Sequence, residues 1–333
     1  MAKFPGGSLR LKNAAKRWLK FVVSAVLLAL LLTQIDLRAA LQSLAGVKWI
    51  GVWAGLALFI AGVFIRSYRW QILLDGLGLP MPLRKLTSLY FVGSFFNTVL
   101  PTGFGGDVVK SAELAHTSGH TGESVGTVVM DRFLGIVALL AMGVAALLVA
   151  GDWVNPRITW LISLLFVAFL AGFWLLRQRS LMRRLSLLIP QRLREPILSF
   201  SKALYTGLQG YSRRTLAKAF VVSILFNITW VAVNVVLGWA IGIDATVAQY
   251  LVFVPLVSLS LLVPSVGGLG VRELTYVGLF GLIGVPEEQA FALGILIYAV
   301  TFVTGLIGGL IYLLQGLRAA RGARQTSTPA TDR

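Results

Sequence analysis

Long apolar stretches dominate the chain, and their pattern predicts transmembrane helices. A run of about 20 apolar residues is long enough to cross a bilayer as a helix. Strands of a membrane barrel would alternate apolar and polar positions, which these runs do not. We therefore predict an all-α polytopic membrane protein. Six full spans are predicted, at about residues 18–35, 47–65, 124–150, 158–176, 219–241 and 289–317.

Two further apolar stretches, at about residues 86–119 and 247–284, contain helix-breaking residues. The first includes FFNTVLPTGFGGDVVK and the second LLVPSVGGLGVRE. In each, a proline precedes a glycine pair, and a cation follows four residues after the second glycine, Lys110 in the first and Arg272 in the second. A broken helix survives in lipid only where protein or a water-filled cavity satisfies its backbone. The pattern predicts two re-entrant broken-helix hairpins, although glycine pairs also arise by chance in a chain with 35 Gly.

The distribution of Lys and Arg predicts the topology. Most of the 30 Lys and Arg lie in the N-terminal region, the C-terminal region and residues 66–85 and 177–218. Cytoplasmic loops carry an excess of these residues, which places both termini in the cytoplasm. The first hairpin then enters the bilayer from the cytoplasm and the second from outside. This is the arrangement of an inverted repeat, and paired broken segments of this kind indicate a substrate site.

The segments outside the spans divide the chain into a single membrane domain and two tails. Residues 1–17 form a basic cytoplasmic tail, residues 18–318 form the membrane domain, and the polar residues 319–333 are expected to be disordered. Within the domain, residues 177–218 interleave cations with apolar residues. This pattern is typical of amphipathic helices on an anionic leaflet, and equally of an ordinary positive-inside loop.

The sequence RSYRW follows the second predicted span. Long cationic side chains near the end of a span can extend to the membrane surface, and aromatic rings suit the interface. We therefore expect Arg66 and Arg69 to reach the interface, with Tyr68 and Trp70 beside them.

Polar residues within the apolar segments are the candidate functional site, because an embedded charge is costly unless it is paired or hydrated. Free amides at a helix N-terminus favour an anion, and Lys110 and Arg272 add positive charge. A phosphate head group is the natural anion in a bilayer. The predicted head-group residues are Gly105, Gly106, Lys110, Gly267, Gly268 and Arg272, and the predicted supporting polar network is Asn97, Asp107, Glu113, Asp131, Arg132 and Glu273.

Two alternatives to this interpretation remain open. Asp107 would repel a phosphate, so it could instead cap its helix, pair with Lys110 or Arg132, or carry a coupling proton. The whole set could also consist of internal ion pairs that only fix helix packing. For the amides Asn97, Asn227 and Asn234 and the glycines Gly305, Gly308 and Gly309, we expect a role in helix–helix contact.

Several chemistries are disfavoured by what the sequence lacks. The chain has no Cys and no recognisable catalytic triad or nucleotide-binding loop. His116, His120 and Glu113 have metal-like spacing, but Ser118 and Gly119 should break the helix between the two His. We predict no metal, no cofactor and no enzymatic activity. The net charge of +17 is interpreted as membrane topology rather than nucleic-acid binding.

Three motifs together resemble the lysylphosphatidylglycerol synthase transmembrane-region family, also described as flippase-like membrane proteins. They are FFNTVLPTGFGGDVVKSAELA, VVMDRFLGIVALL and LVPSVGGLGVRELTYVGLFGLIGVPEEQA, and the resemblance covers about residues 15–318. In bifunctional members this region precedes a soluble aminoacyltransferase domain and is associated with moving the modified lipid across the bilayer. The present chain ends some 15 residues after its last span, so by this resemblance it should not aminoacylate lipid by itself.

The resemblance and the embedded charges together predict a lipid flippase of a bacterial-type inner membrane. Its substrate would be an anionic or isoprenoid-type lipid, because some stand-alone members of the family are associated with isoprenoid or hopanoid lipids. Two alternatives remain: a membrane subunit that works with a lipid-modifying enzyme, and a non-catalytic scaffold that docks a partner through residues 177–218.

Overall fold

The computed structural model describes residues 42, 44–99, 105–148, 154–177, 210–263, 265 and 268–326. The first predicted span, the N-terminal tail and most of the basic segment 177–218 lie outside the described residues. All regular secondary structure in the described part is α-helical. The helices are α1 (Trp49–Gly76), α2 (Leu83–Val99), α3 (Gly105–Ser118), α4 (Thr121–Leu147), α5 (Pro156–Arg177), α6 (Arg213–Ala240), α7 (Val247–Ser260), α8 (Val271–Gly281) and α9 (Glu287–Thr326).

Four of these helices, α1, α4, α6 and α9, are long and apolar enough to cross a membrane. They coincide with four of the six predicted full spans. The fifth predicted span corresponds to α5, whose apolar part is shorter. The prediction of an all-α polytopic membrane protein is confirmed. The C-terminal tail differs from expectation, since α9 continues to Thr326, so residues 319–326 are helical.

Helix α1 extends beyond the predicted second span, and this corrects the interpretation of RSYRW. The helix continues to Gly76, because no glycine or proline occurs between Gly62 and that residue. Trp70 is fully buried and Arg69 is 3% exposed. These two side chains therefore face the protein interior rather than the membrane interface, whereas Tyr68 is exposed.

Helices α2 and α3 form the first hairpin. They have 17 and 14 residues, or about 25 and 21 Å at 1.5 Å per residue, which is less than the roughly 30 Å hydrocarbon core. Lys85 Nζ, near the start of α2, donates a hydrogen bond of 2.8 Å to Thr117 Oγ1, near the end of α3. Nearer the tip, a Cβ at Gly106 would overlap the carbonyl oxygen of Gly93. The two helices are therefore antiparallel and in close contact.

Helices α7 and α8 form the second hairpin and are shorter still, with 14 and 11 residues. The α7 N-terminus is capped by Thr246, whose side chain accepts a hydrogen bond from the Gln249 amide. The Tyr250 ring near the start of α7 meets the Phe280 ring near the end of α8, with the ring centroids 5.2 Å apart. The outer ends of this hairpin thus also lie side by side.

The two hairpins open at opposite ends of the bundle. Gly76 at the end of α1 packs against Thr215 at the start of α6, and the Lys48 amide donates to the Ala240 carbonyl at the other end of the same two helices. Helices α1 and α6 are therefore antiparallel. A short loop joins the end of α1 to the first hairpin, and another joins the end of α6 to the second hairpin. The open ends of the two hairpins therefore lie at opposite ends of the bundle, and their entry from opposite faces of the membrane stays a prediction.

Helix α9 packs closely on the first hairpin through glycines. Gly308 leaves no space for a Cβ beside the Phe91 carbonyl, Gly305 contacts Thr98, and Gly309 contacts the ring of Phe95. These contacts give the three glycines the predicted packing role.

The predicted helix–helix role of the buried amides is also seen. Asn227 Nδ2 on α6 donates a 3.0 Å hydrogen bond to the Gly135 carbonyl on α4. The Tyr276 hydroxyl on α8 donates to Asn234 Oδ1 on α6. The two amides therefore connect α6 to α4 and to α8 at different positions along α6.

Candidate functional site

Asp107 in the first turn of α3 holds two cations. The Lys110 ammonium lies 2.9 Å from Asp107 Oδ1, and Arg132 of α4 pairs with Oδ2 through its Nε. Lys110 is 5% exposed, whereas the Arg132 side chain is 32% exposed. Of the roles considered for Asp107, the structure shows ion pairing.

A second buried ion pair lies beside the first. Arg69 Nε of α1 is 2.6 Å from Asp131 Oδ1 of α4, and both side chains are 3% exposed. The Tyr90 hydroxyl of α2 donates to Asp131 Oδ2. Arg69 also donates from Nη1 to Ser223 Oγ of α6 at 3.1 Å. Four helices therefore meet at this pair.

Aromatic rings line the remaining faces of these cations. The Lys110 ammonium lies 4.1 Å from the centroid of the Tyr90 ring and 5.5 Å from that of Trp70. The Arg66 guanidinium lies 4.9 Å from the Phe226 ring and 5.3 Å from the Tyr90 ring. Ring faces attract cations, and more strongly when water is excluded. The Nε of Arg66 is buried and has no hydrogen-bond partner among the described residues.

We call the six charged residues described above the charge cluster. It carries four cations and two carboxylates, which leaves an excess of two positive charges. Arg69 lies seven residues from the end of α1 and Asp131 ten residues from the start of α4, or about 10–15 Å along each helix. Both residues therefore lie well inside their helices. The members of the charge cluster are Arg66, Arg69, Asp107, Lys110, Asp131 and Arg132.

The N-terminus of α3 is occupied by a side chain of the same hairpin. Asn97 Oδ1 of α2 accepts a 2.8 Å hydrogen bond from the Gly106 amide. An amide oxygen is a preferred partner for the first amides of a helix. The Gly106 amide, predicted to contact a head group, is therefore already engaged, while Gly105 is the buried first residue of α3.

Glu113 is placed differently from the prediction. It is exposed, whereas Asp107 and Lys110 on the same helix are directed into the charge cluster. Six residues advance a helix by about 600°, which leaves Glu113 about 120° away from Asp107 around the axis. Glu113 therefore lies outside the buried network.

Arg272 and Glu273 form a second, smaller buried group at the start of α8. Arg272 is 6% exposed and Glu273 is fully buried. The Arg272 guanidinium lies 5.6 Å from the Tyr298 ring of α9 and packs against Gly268. Gly268 has φ +83°, a conformation that favours glycine. Gly267 lies outside the described residues.

The structure places Lys110 and Arg272 in two different groups rather than in one site. Lys110 contacts residues of α1, α2 and α3, whereas Arg272 lies against its own loop and α9. Helix α9 connects the groups, because Tyr298 meets Arg272 and Gly305, about two turns further on, meets Thr98 of the first hairpin. The two hairpin tips thus share one supporting helix.

Sequence reasoning missed four members of the site, Arg66, Arg69, Tyr90 and Ser223. The sequence between Gly62 and Gly76 contains no glycine or proline, and this could have shown that Arg66 and Arg69 lie well inside a long helix. No local signal marks Tyr90 or Ser223 as partners of distant charges. Among the described residues, no group of three or more His, Asp and Glu side chains could hold a metal ion.

These features define a multi-pass helical membrane protein with a buried polar group at the tip of each of two inverted hairpins. A family model described as the lysylphosphatidylglycerol synthase TM region matches residues 17–309 of the 333. The chain belongs to this family, which makes it a lipid-related membrane protein. No curated protein matches the chain.

Proposed function

We propose that this protein moves an anionic lipid across the membrane, and that the charge cluster binds the lipid head group during passage. The observation that carries the proposal is the excess of two positive charges among the six residues of the charge cluster, inside the helix bundle. A buried charge without a counter-ion costs several kcal/mol. A phosphate would supply the missing negative charge.

Arg66 and Arg132 are the cations best placed to meet an incoming phosphate. Arg66 retains a buried donor, its Nε, without a hydrogen-bond partner in the described part of the chain. Arg132 has the most exposed side chain in the three ion pairs, so a head group would reach it first. Lys110 lies deeper, held between Asp107 and the Tyr90 ring.

Asp107 would make the binding reversible. It already pairs with Lys110 and Arg132, and a phosphate must compete with it for both cations. Translocation requires a site that binds well enough to admit the lipid and weakly enough to release it. The Asp107 carboxylate would pair with Lys110 and Arg132 again as the phosphate leaves, and this would favour release of the lipid.

The two hairpins would gate access from opposite sides of the membrane. The first hairpin carries Lys110 and Asp107, and the second carries Arg272 near its tip. Paired broken helices with opposite entry are a common design of membrane transporters. Movement of each hairpin against α9 would expose the interior to one leaflet at a time.

The remaining parts of the proposal concern location and partners. The protein would reside in a bacterial-type inner membrane with both termini in the cytoplasm, and the basic segment 177–218 would rest on the anionic leaflet. Both phospholipids and isoprenoid phosphate lipids offer the required head group. The protein would act as a transporter rather than an enzyme, on its own or beside a lipid-modifying enzyme.

The test is to identify the lipids that co-purify with the protein and to measure lipid movement after reconstitution. Wild type is compared with Arg66→Met and Lys110→Met, and Lys218→Met serves as the control because Lys218 is exposed on α6. We expect one enriched anionic lipid and measurable translocation in wild type and the control, with both lost in the two cluster variants. Bulk-membrane lipid and unchanged activity in the cluster variants would contradict the proposal and favour a scaffold.

A further inference from the structure

Glu273 is a buried carboxyl group that head-group binding does not use. It is the third residue of α8, and none of its surface is exposed. It lies in the second hairpin, away from the charge cluster. The other glutamates in the described part of the chain are exposed or half-buried, namely Glu113, Glu123, Glu287 and Glu288. Its burial therefore distinguishes it within the described part of the chain.

The two carboxyl oxygens of Glu273 have different surroundings. Oε2 accepts a 2.7 Å hydrogen bond from the Gly270 amide and so caps α8. Oε1 is buried and has no hydrogen-bond partner among the described residues. An unsatisfied buried oxygen costs more in a charged group than in a neutral one. A proton on Oε1 would remove the charge and leave the cap in place.

The neighbouring elements decide how the charge of Glu273 is balanced. On α8 itself, the neighbours are the cation Arg272 and the hydroxyl of Tyr276. Helix α9 presents Gly294, which packs against the Glu273 side chain, and Tyr298, whose ring contacts Arg272. Helix α7 contributes Tyr250, whose ring lies beside Phe280 of α8. The flanking helices thus supply tyrosines and a glycine, and Arg272 is the cation nearest in the chain.

Two opposing effects act on the carboxyl group. Burial away from water disfavours the charged form, and the adjacent Arg272 favours it. The charge state of this side chain is therefore set by the balance between burial and Arg272. A carboxyl group balanced in this way inside a membrane is suited to take up and release protons.

We propose that Glu273 is a proton-binding site that couples lipid movement to the proton gradient. Uptake of one proton from water forms an O–H bond at Oε1, and release returns that proton to water. The coupling, though not the proton site itself, rests on the proposed lipid transport.

Protonation would act on the tip of the second hairpin. A charged carboxylate makes a hydrogen bond to the Gly270 amide roughly twice as strong as a neutral one. The ionised form therefore holds the start of α8 firmly, and the neutral form loosens it. Loss of the negative charge also removes the electrostatic attraction between Glu273 and Arg272. Proton uptake would thus prepare the second hairpin to receive the head group.

The first experiment measures proton binding without any lipid transport. Infrared difference spectra of the purified protein in lipid nanodiscs are recorded during a pH titration, with glutamate heavy-carbon-labelled at the side-chain carboxyl. We expect a protonated carboxyl band that responds to the label, titrates with pH and exchanges slowly with heavy water, unlike the bands of exposed glutamates. The band should be absent in Glu273→Gln and retained in Glu113→Gln. Absence of a label-sensitive band in wild type, or its persistence in Glu273→Gln, would overturn the proposal.

Glu273→Gln should fold, because its amide oxygen can still accept the hydrogen bond from Gly270. If it does not fold, the labelled wild-type spectrum still decides the matter, since the other described glutamates reach water and exchange rapidly with heavy water. A slowly exchanging, label-sensitive band supports Glu273, and a rapidly exchanging one refutes it.

The second experiment measures coupling in reconstituted vesicles with an imposed pH gradient. We expect the wild-type translocation rate to change several-fold with the gradient and the Glu273→Gln rate to be insensitive to it. A Glu273→Gln rate that follows the gradient as in wild type would refute the coupling. If no lipid moves in wild type, the proposed function fails, while the infrared result still tests the proton site.

Discussion

Arg69 and Asp131 are 62 residues apart in the chain, yet Arg69 Nε lies 2.6 Å from Asp131 Oδ1 in the interior of the bundle. This pair joins α1 to α4, and Tyr90 and Ser223 extend it to α2 and α6. One buried ion pair therefore organises four helices around the first hairpin.

Breaking this pair should destabilise the protein strongly. Removing one partner of a buried ion pair leaves an uncompensated charge and costs about 3–5 kcal/mol. We expect Arg69→Met and Asp131→Asn each to lower the unfolding temperature in detergent markedly. The double variant should lose less than the sum of the two, because neither charge is then left alone. Arg84→Met at an exposed position is the control, and additive effects in the double variant would contradict the pairing.

Neutralising Asp107 and neutralising Lys110 should have opposite effects on lipid binding. Asp107→Asn raises the net charge of the cluster from +2 to +3 and removes the carboxylate that pairs with Lys110 and Arg132, so retention of an anionic lipid should increase. Lys110→Met lowers the charge and should reduce retention by about ten- to a hundredfold, given that a hydrogen bond to a charged group contributes about 1.5–3 kcal/mol.

The measurement for this second prediction is the amount of anionic lipid that remains bound through a salt wash. Asp107→Asn should also slow translocation, because the head group is released less readily. Glu123→Gln on α4 controls for a change of carboxyl charge outside the cluster. Equal lipid retention in Asp107→Asn and Lys110→Met would show that Asp107 does not compete with the lipid.

Gly106→Ala should separate the two helices of the first hairpin. A Cβ at this position would overlap the Gly93 carbonyl oxygen on α2, and backbone cannot move aside as a flexible side chain can. Overpacking of this kind costs about 1–3 kcal/mol or more. We expect a lower unfolding temperature and faster proteolysis of the hairpin. Gly278→Ala is the matched control, since no atom lies within 4 Å of an added Cβ there, and a similar loss in both variants would refute the steric explanation.

The outer ends of the two hairpins should react from opposite sides of the membrane. The chain has no Cys, so single cysteines can be introduced without background. Thr117→Cys marks the outer end of the first hairpin and Leu282→Cys that of the second, and both positions are exposed. With a membrane-impermeant maleimide, Leu282→Cys should label in intact cells, and Thr117→Cys only after permeabilisation. Labelling of both from the same side would contradict the inverted arrangement.

The amino-acid sequence alone determined the membrane class, the family and the positions of the two breaks. Long apolar runs are local features, and so are the proline and glycine pair before Lys110 and the corresponding pattern before Arg272. The sequence also predicts opposite entry of the two hairpins, because Lys and Arg counts indicate which ends of the helices face the cytoplasm.

Only the tertiary structure decided which charges meet. Arg69 looked like an interfacial residue, and no local pattern connects it to Asp131. The sequence predicts Glu113 as a member of the supporting polar network, but the rotation of α3 turns it outward. The physical reason is that burial and ion pairing depend on helix rotation and on contacts between distant segments, and a long side chain can reach either water or a buried partner from the same sequence position.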